Sequence, residues 1–395
     1  MMSVDIRNCN GCGACIQKCP RQCISWYESD LGFRYPQIET ELCVNCGLCE
    51  KVCPVNTHPV LPVEQKCYAV VHRDSTILKS STSGGAFSAI AEKVLEFQGV
   101  VYGCSMDANL QVKHIRVVDE EELKKLRGSK YVQSDICETY LQAEMDLKSG
   151  KLVFYTGTPC QIAGLKQFLG RDYDNLLTAD IVCHGVGSQK YFDRFIEFLN
   201  ERDGKVIDLK FRDKEMAGWS ASGGLIVVED KFTKKVRRKK FFDYNHYYFN
   251  YFLGGEIYRE SCYTCPYANL KRPGDFTLGD FWGVESLKLP LKTEIGCSLL
   301  LVNTAKAYKI FSQLLSLHCE EVDVQVAVRG NGQLKAPSVK PQNREKIVEQ
   351  YSSLSGKQID EEYRVMFRKR IIKLHLKALI PFEIKLFIRK LRRWM

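Results

Sequence analysis

The sequence predicts a chain in three parts: a small cysteine-rich α+β module over residues 1–60, an α/β body over 66–335 and a basic helical tail over 342–395. Three observations carry this division. One cysteine pattern occurs twice, at 9–20 and 43–54. Strand-like apolar runs alternate with helical periodicity from Lys66 onward. The last 32 residues gather eleven Lys and Arg against the single acid Glu383. Strands alternating with helices are the signature of an α/β layer.

A length of 395 residues exceeds what one hydrophobic core serves. With 45% hydrophobic and 26% charged residues, the composition is globular. The start of the chain lacks a secretory signal, and no apolar run approaches the ~20 residues needed to span a bilayer, so a cytoplasmic protein is expected. Half of the 18 cysteines crowd into residues 9–53, which suits metal ligation better than a disulfide scaffold. The net charge of +10 resides entirely in residues 364–395, leaving 1–363 formally neutral. A neutral body argues against nucleic-acid binding, which needs clustered excess cations. Only the tail asks for an anionic partner.

In the module, Cys9, Cys12, Cys15, Cys19 and Pro20 follow the spacing C-x-x-C-x-x-C-x-x-x-C-P, and Cys43, Cys46, Cys49, Cys53 and Pro54 repeat it. This is the bacterial ferredoxin run, in which three thiolates hold one four-iron cluster and the fourth crosses to the other. Cys9, Cys12, Cys15 and Cys53 are therefore expected around one cluster, and Cys43, Cys46, Cys49 and Cys19 around the second. Paired C-x-x-C also binds zinc, but four cysteines per run followed by proline favour clusters. Cys23 falls outside the period and reads as an inert packing thiol. Residues 26–38 read as a hairpin between the halves, and His58 to Pro62 as a linker.

In the body, residues 66–72 read as a strand, 84–97 as a helix, 99–118 as a hairpin and 137–148 as a helix. Lys151 to Tyr155 reads as a buried strand leading through Thr156-Gly157-Thr158-Pro159-Cys160 into a helix ending at Leu169. Residues 179–183 form a short strand and 189–200 an amphipathic helix, while 295–328 read as strand, helix and strand. Ser80 to Gly85 precedes a helix, where it suits either a phosphate or a plain serine cap on a glycine turn. No P-loop is present, and Gly185 and Gly187 lack the third glycine of a dinucleotide fingerprint. Cys160 and Cys183 each follow a strand, on the edge where α/β sheets bind ligands, and Cys262 and Cys265 add a C-x-x-C. The four suit one shared site. They also suit two buried thiols plus a zinc or disulfide half-site.

Ser83-Gly84-Gly85-Ala86, Gly128-Ser129-Lys130-Tyr131-Val132, Thr156 to Gln161, Cys183-His184-Gly185, the Cys262 to Tyr267 stretch and Gly279 to Gly283 occur in this order. Over roughly residues 66–330 they resemble the coenzyme F420 hydrogenase/dehydrogenase beta-subunit family, whose members also occur fused to a two-cluster ferredoxin. The resemblance implies a bacterial ferredoxin-like domain followed by an α/β flavin-binding body. It also implies FAD and a third four-iron cluster on Cys160, Cys183, Cys262 and Cys265. Ser83, Gly84, Gly85, Thr156, Gly157 and Thr158 become candidates for the FAD phosphates and ribityl chain. Lys130 is placed near the flavin ring, where a cation stabilises the reduced anion, and His184 is a candidate proton donor.

The leading reading is an iron–sulfur flavoprotein oxidoreductase acting on an organic substrate or deazaflavin coenzyme, with ferredoxin or another oxidoreductase as redox partner. The alternative is an electron-relay subunit holding no substrate; turnover of a small molecule by the isolated chain separates the two. In the tail, Ile384, Phe387, Ile388 and Leu391 recur at helical spacing among cations and end at Trp394, which suits peripheral contact with the inner membrane surface or packing on the body.

Overall fold

The computed structural model describes residues 5, 7–57, 65–219 and 223–379. The linker His58 to Pro62 and the stripe from Ile384 to Trp394 lie outside them.

The module is a pseudo-symmetric pair of cysteine loops around the hairpin β1 (Ile24–Glu28) and β2 (Arg34–Ile38), paired from Ile24↔Ile38 to Glu28↔Arg34. Each loop turns through left-handed backbone at matched positions, Gly11 and Gly13 in the first and Asn45 and Gly47 in the second. Glycine and asparagine tolerate that region best. Gly13 and Gly47 then open the short helices Ala14–Lys18 and Leu48–Lys51.

The body strands are β3 (Lys66–His72), β4 (Val100–Met106), β5 (Val112–Val117), β6 (Val153–Gly157), β7 (Leu176–Ile181), β8 (Lys205–Lys210), β9 (Gly223–Glu229), β10 (Val236–Phe242), β11 (Phe276–Asp280), β12 (Ser298–Val302) and β13 (Leu317–Val322). Eight of them form one sheet in the order β13-β3-β12-β11-β7-β6-β4-β5. Its centre, β11-β7-β6-β4, is parallel and its flanks are antiparallel, so the sheet is mixed rather than purely α/β. The parallel centre is covered on both faces, which is why its strands read as continuous apolar runs. Val101, Phe154 and Leu177 pack with the helix Ala86–Glu96 on one face. Val100, Tyr102, Val153, Tyr155 and Leu176 pack on the other, with Ile162 and Leu165 of the helix Pro159–Leu169.

The module sits on that second face. Its Cys12, Ala14 and Val52 belong to the same apolar cluster as Tyr140, Ile162 and Leu165. Lys18 Nζ donates to Phe168 O at 2.8 Å, Gln133 Nε2 to Asn10 O at 2.9 Å and Gln167 Nε2 to Thr57 O at 3.1 Å.

Strands β8, β9 and β10 form a separate antiparallel sheet that the sequence reading left unassigned. It packs with the helices Gln189–Asp203 and Tyr247–Gly254 in a core rich in aromatics. The helices Arg344–Ser353 and Gly356–Met366 join this core through buried Ile347, Tyr351, Ile359 and Tyr363. The expected boundary at 342 is therefore no boundary in packing, because these two helices close the body, and the basic surplus begins only at Arg364.

Candidate functional site

The eight module cysteines gather around two cavities in the grouping that the crossed-ligand rule predicts. Cys9, Cys12, Cys15 and Cys53 line one of about 300 Å³, along with Trp26, Pro36, Ile38 and Pro54. Cys19, Cys43, Cys46 and Cys49 line the second, of about 110 Å³. Among the described residues no three His, Cys, Asp or Glu side chains converge closely enough for one bare metal ion. Thiols standing apart around a cavity fit a cluster that brings its own sulfides. Cys23 is buried, as expected, but it also lines the second cavity, with its Sγ 3.4 Å from Cys19 Sγ. Its place one turn beyond Pro20 was the available signal.

Cys160 opens the helix Pro159–Leu169, which begins just beyond β6 and is capped by a reciprocal Thr158/Gln161 box. Cys183 lies two residues beyond β7, the parallel neighbour of β6. The expected strand over 179–183 in fact ends at Ile181, freeing Cys183 to turn into the site. Cys262 and Cys265 lie on and just after the 3₁₀ turn Glu260–Thr264. All four are drawn together: burial first, then the negative charge of Cys262, Cys160 and Cys265, pushes the Cys183 thiol well above its usual range. Burial, then Cys160, pushes Cys262 up to about 12, and burial brings Cys160 to about 11. Such crowding of buried thiols is unfavourable for thiolates alone and becomes favourable beside cationic iron. The same group extends to the module, since Cys12 is within electrostatic reach of Cys160.

Residues 8–57 match the model of the 4Fe-4S dicluster domain, and residues 150–324 match that of the C terminus of the coenzyme F420 hydrogenase/dehydrogenase beta subunit. The chain is thus similar to a dicluster ferredoxin domain near its start and, over residues 150–324, to the C-terminal part of that beta subunit. An uncharacterized protein of Methanocaldococcus jannaschii is 28% identical over 202 residues, 44% of this chain and 56% of its own length. The chain thus spans little more than half of that relative. An uncharacterized ferredoxin of the same organism is 35% identical over 63 residues, covering 16% of this chain and 80% of the ferredoxin. A chain of the F420-reducing [NiFe] hydrogenase complex from Methanosarcina barkeri superposes with a TM-score of 0.45 at 16% identity, covering 73% of this chain and 92% of that one.

In the body the remaining motifs come together at the carboxyl ends of the central strands. Ser129 N donates to Thr82 Oγ1 at 3.0 Å, which joins the Thr82 to Gly85 loop to the Gly128 to Lys130 turn. Thr156 Oγ1 donates to Tyr102 O at 3.0 Å. Ser83 and Gly84 are engaged internally: Ser83 Oγ donates to Cys297 O at 2.9 Å and Gly84 N to Ser298 Oγ at 2.7 Å. A Cβ on Gly84 would lie 2.2 Å from Val70 O, so this glycine lets the loop press against β3 and β12. Lys130 is half-buried, and its Nζ donates to the carbonyls of Lys125, Leu126 and Arg127 at 3.2, 3.1 and 2.8 Å. Burial lowers its pKa, and the only opposing influence is Cys104. Gly157 stands against Gln161 and His114. His184 is exposed, and Ser338 Oγ donates to its carbonyl at 2.6 Å.

Sequence reasoning missed Arg212, Lys214 and Trp219 in the 205–242 stretch. Arg212 pairs with Asp280, and Trp219 Nε1 donates to the same carboxylate at 3.2 Å. Trp219 stacks on Trp282 with ring centres 5.4 Å apart, and Lys214 Nζ donates to Leu78 O at 2.8 Å and to Ser83 O. The signal present was Asp280-Phe281-Trp282, quoted in the resemblance without an assigned role.

Proposed function

We propose that the chain is an iron–sulfur flavoprotein oxidoreductase that passes electrons between its ferredoxin-type clusters and an organic substrate or deazaflavin coenzyme through FAD. A third four-iron cluster belongs on Cys160, Cys183, Cys262 and Cys265. The observation that carries this reading is the gathering of those thiols beside Cys12, because it extends the cluster line out of the ferredoxin domain into the body.

FAD, when bound, supplies exchange of an electron pair on one side and single electrons on the other. The Lys130 ammonium has no carboxylate partner among the described residues, so an anion beside it is accommodated without competition. Thr82, Ser129 and Thr156 to Thr158 supply hydroxyls and N–H groups nearby. The redox partner, a ferredoxin or another oxidoreductase, approaches at the second cavity, where Cys46 is exposed and Leu42 and Val44 leave apolar surface open. The tail makes a peripheral contact with an anionic membrane surface.

The test is anaerobic purification with iron, sulfide and flavin assays, followed by turnover with reduced deazaflavin, NADH and reduced ferredoxin. Twelve irons and one FAD per chain, with turnover of an organic acceptor, support the proposal. A fully reconstituted chain without flavin overturns it.

A further inference from the structure

Three arginines of the described chain are buried, and two of them have carboxylate partners. Arg272 pairs with Asp180 at 2.6 Å and Arg344 with Glu260 at 3.3 Å. Arg259, 1% exposed, has none among the described residues. A buried guanidinium without a counter-charge is costly, because hydrogen bonds to neutral groups replace only part of its hydration. Each of its three nitrogens nevertheless has an acceptor: Nε donates to Cys9 O at 2.7 Å, Nη1 to Gln133 Oε1 at 3.1 Å, and Nη2 to Arg34 O at 2.9 Å and Cys9 Sγ at 3.8 Å. The guanidinium also lies over the Tyr35 ring, 4.2 Å from its centre.

The side chain thus touches a ligand position of the first ferredoxin cavity. Its backbone belongs to the other site, since Cys262 N donates to Arg259 O at 2.9 Å. Its charge also reaches Cys160 and Cys262. The approach is close on the module side as well: a Cβ on Gly11, at φ +65°, would lie 2.8 Å from Arg259 Nη1. The missing counter-charge is supplied by thiolate-ligated clusters, which carry net negative charge on both sides of the guanidinium.

We propose that Arg259 is a positioning residue that electrostatically links the first ferredoxin cluster, on Cys9, Cys12, Cys15 and Cys53, to the body cluster on Cys160, Cys183, Cys262 and Cys265. This rests on the third-cluster reading above. Each crossing moves one electron from a reduced cluster to an oxidised one, with no proton transferred and no bond broken. A fixed cation between the two favours the more negative reduced state at either end, so it raises both potentials and keeps them matched. Net charge and hydrogen bonds to the sulfurs are recognised determinants of cluster potential.

The experiment uses the full-length, anaerobically reconstituted protein and its Arg259→Met and Arg259→Lys variants. Iron is counted, and the midpoint potentials are read by EPR-monitored redox titration, with signals assigned through Cys9→Ser, Cys43→Ser and Cys183→Ser. Arg259→Met is expected to lower the first-cluster and body-cluster potentials, changing the reduced-to-oxidised ratio at fixed potential about tenfold, which is about 59 mV for one electron. The second cluster, away from Arg259, should not move. Arg259→Lys keeps the charge and should stay near wild type. Should Arg259→Met fail to hold its iron, Arg259→Lys decides: full iron and near-native potentials support the charge role, and loss of iron there overturns it. Twelve irons with unmoved potentials in Arg259→Met also overturn the link, whereas eight irons in the wild type overturn the third-cluster reading on which it rests.

Discussion

Cys12 of the ferredoxin domain rests against Gly164 of the body: a Cβ built on Gly164 would lie 2.9 Å from Cys12 Sγ and 3.1 Å from Tyr140 Oη. Gly164 stands one turn after Cys160 on the same helix, so the contact fixes the first cluster cavity relative to the body site. Gly164→Ala should therefore act as an overpacking change, destabilising the native state by about 1–3 kcal/mol. Because Cys12 has to yield, iron held by the ferredoxin domain should fall along with Tm. Unchanged iron and Tm would mean that the two domains are joined elsewhere.

Cys183→Ser tests the body cluster alone. Cys183 lines neither module cavity, so the variant should lose about four irons per chain while keeping the absorption and EPR of the two ferredoxin clusters. Retention of all iron would remove Cys183 from the ligand set.

Two separable roles are proposed for Lys130. As a cap on three carbonyls it supports the turn after residue 126, and its removal should cost about 1–2 kcal/mol. As the cation of a flavin site, its removal should also lower the flavin potential and slow flavin reduction. Lys130→Arg should keep most of the potential, whereas Lys130→Ala should not. A flavin potential equal to wild type in Lys130→Ala would confine the lysine to the cap.

A pH effect follows from His114. Nε2–H donates to Thr156 O at 2.9 Å and Nδ1 accepts from Ser134 Oγ at 2.9 Å, so both nitrogens serve a neutral ring. Burial brings its pKa down to about 4. The unfolded ring takes its proton near pH 6.5 and the folded ring only near 4, so stability is complete above 6.5 and is lost as pH falls between these values. At pH 5 the loss is about 2 kcal/mol relative to pH 7.5. In His114→Gln the difference in Tm between pH 7.5 and 5 should shrink; an identical difference would sink the assignment.

The module was legible almost residue by residue, because ligand spacing is a local constraint: Cys9 to Pro20 fixes the loop whatever surrounds it. The strands β6 and β7 were legible because a parallel, doubly covered strand is a continuous apolar run. The flanks were legible as elements, the hairpin over 99–118 and the strand, helix and strand over 295–328, but the antiparallel placement of β12 and β13 was not, since they carry no mark of strand direction. The sheet from Lys205 to Phe242 escaped because β10 is mostly exposed and rich in Arg and Lys, so it lacks alternation. Ser83 and Gly84 illustrate a different limit. Their motif is the same whether the glycine admits a phosphate or a strand backbone, and only the Val70 and Ser298 contacts distinguish the two.

The tail's expected docking on an anionic surface gains support from the helix Arg368–Leu379. Its inner side is occupied, with Phe367 and Ile371 on the body core and His375 edge-on to Tyr244. Ile372 and Leu376, four residues apart on this helix, are 50% and 60% exposed, and Val365 near the end of the preceding helix is 76% exposed. Arg368, Lys369, Arg370 and Lys373 accompany them. Each cation near an anionic bilayer contributes about 1 kcal/mol, so several beside exposed apolar side chains give reversible attachment. Truncation after Gln358 would remove Ile359 and Tyr363, which are 1% and 0% exposed, and the bond from Tyr363 Oη to Tyr244 O, thereby damaging the body itself. The informative variants are deletion of 380–395 and the pair Ile372→Ser with Leu376→Ser, whose side chains are exposed. Full-length protein should sediment with vesicles containing anionic lipid, and do so less as salt rises. Both variants should sediment less while keeping iron and Tm. If full-length protein stays in the supernatant at low salt, the tail has no membrane role.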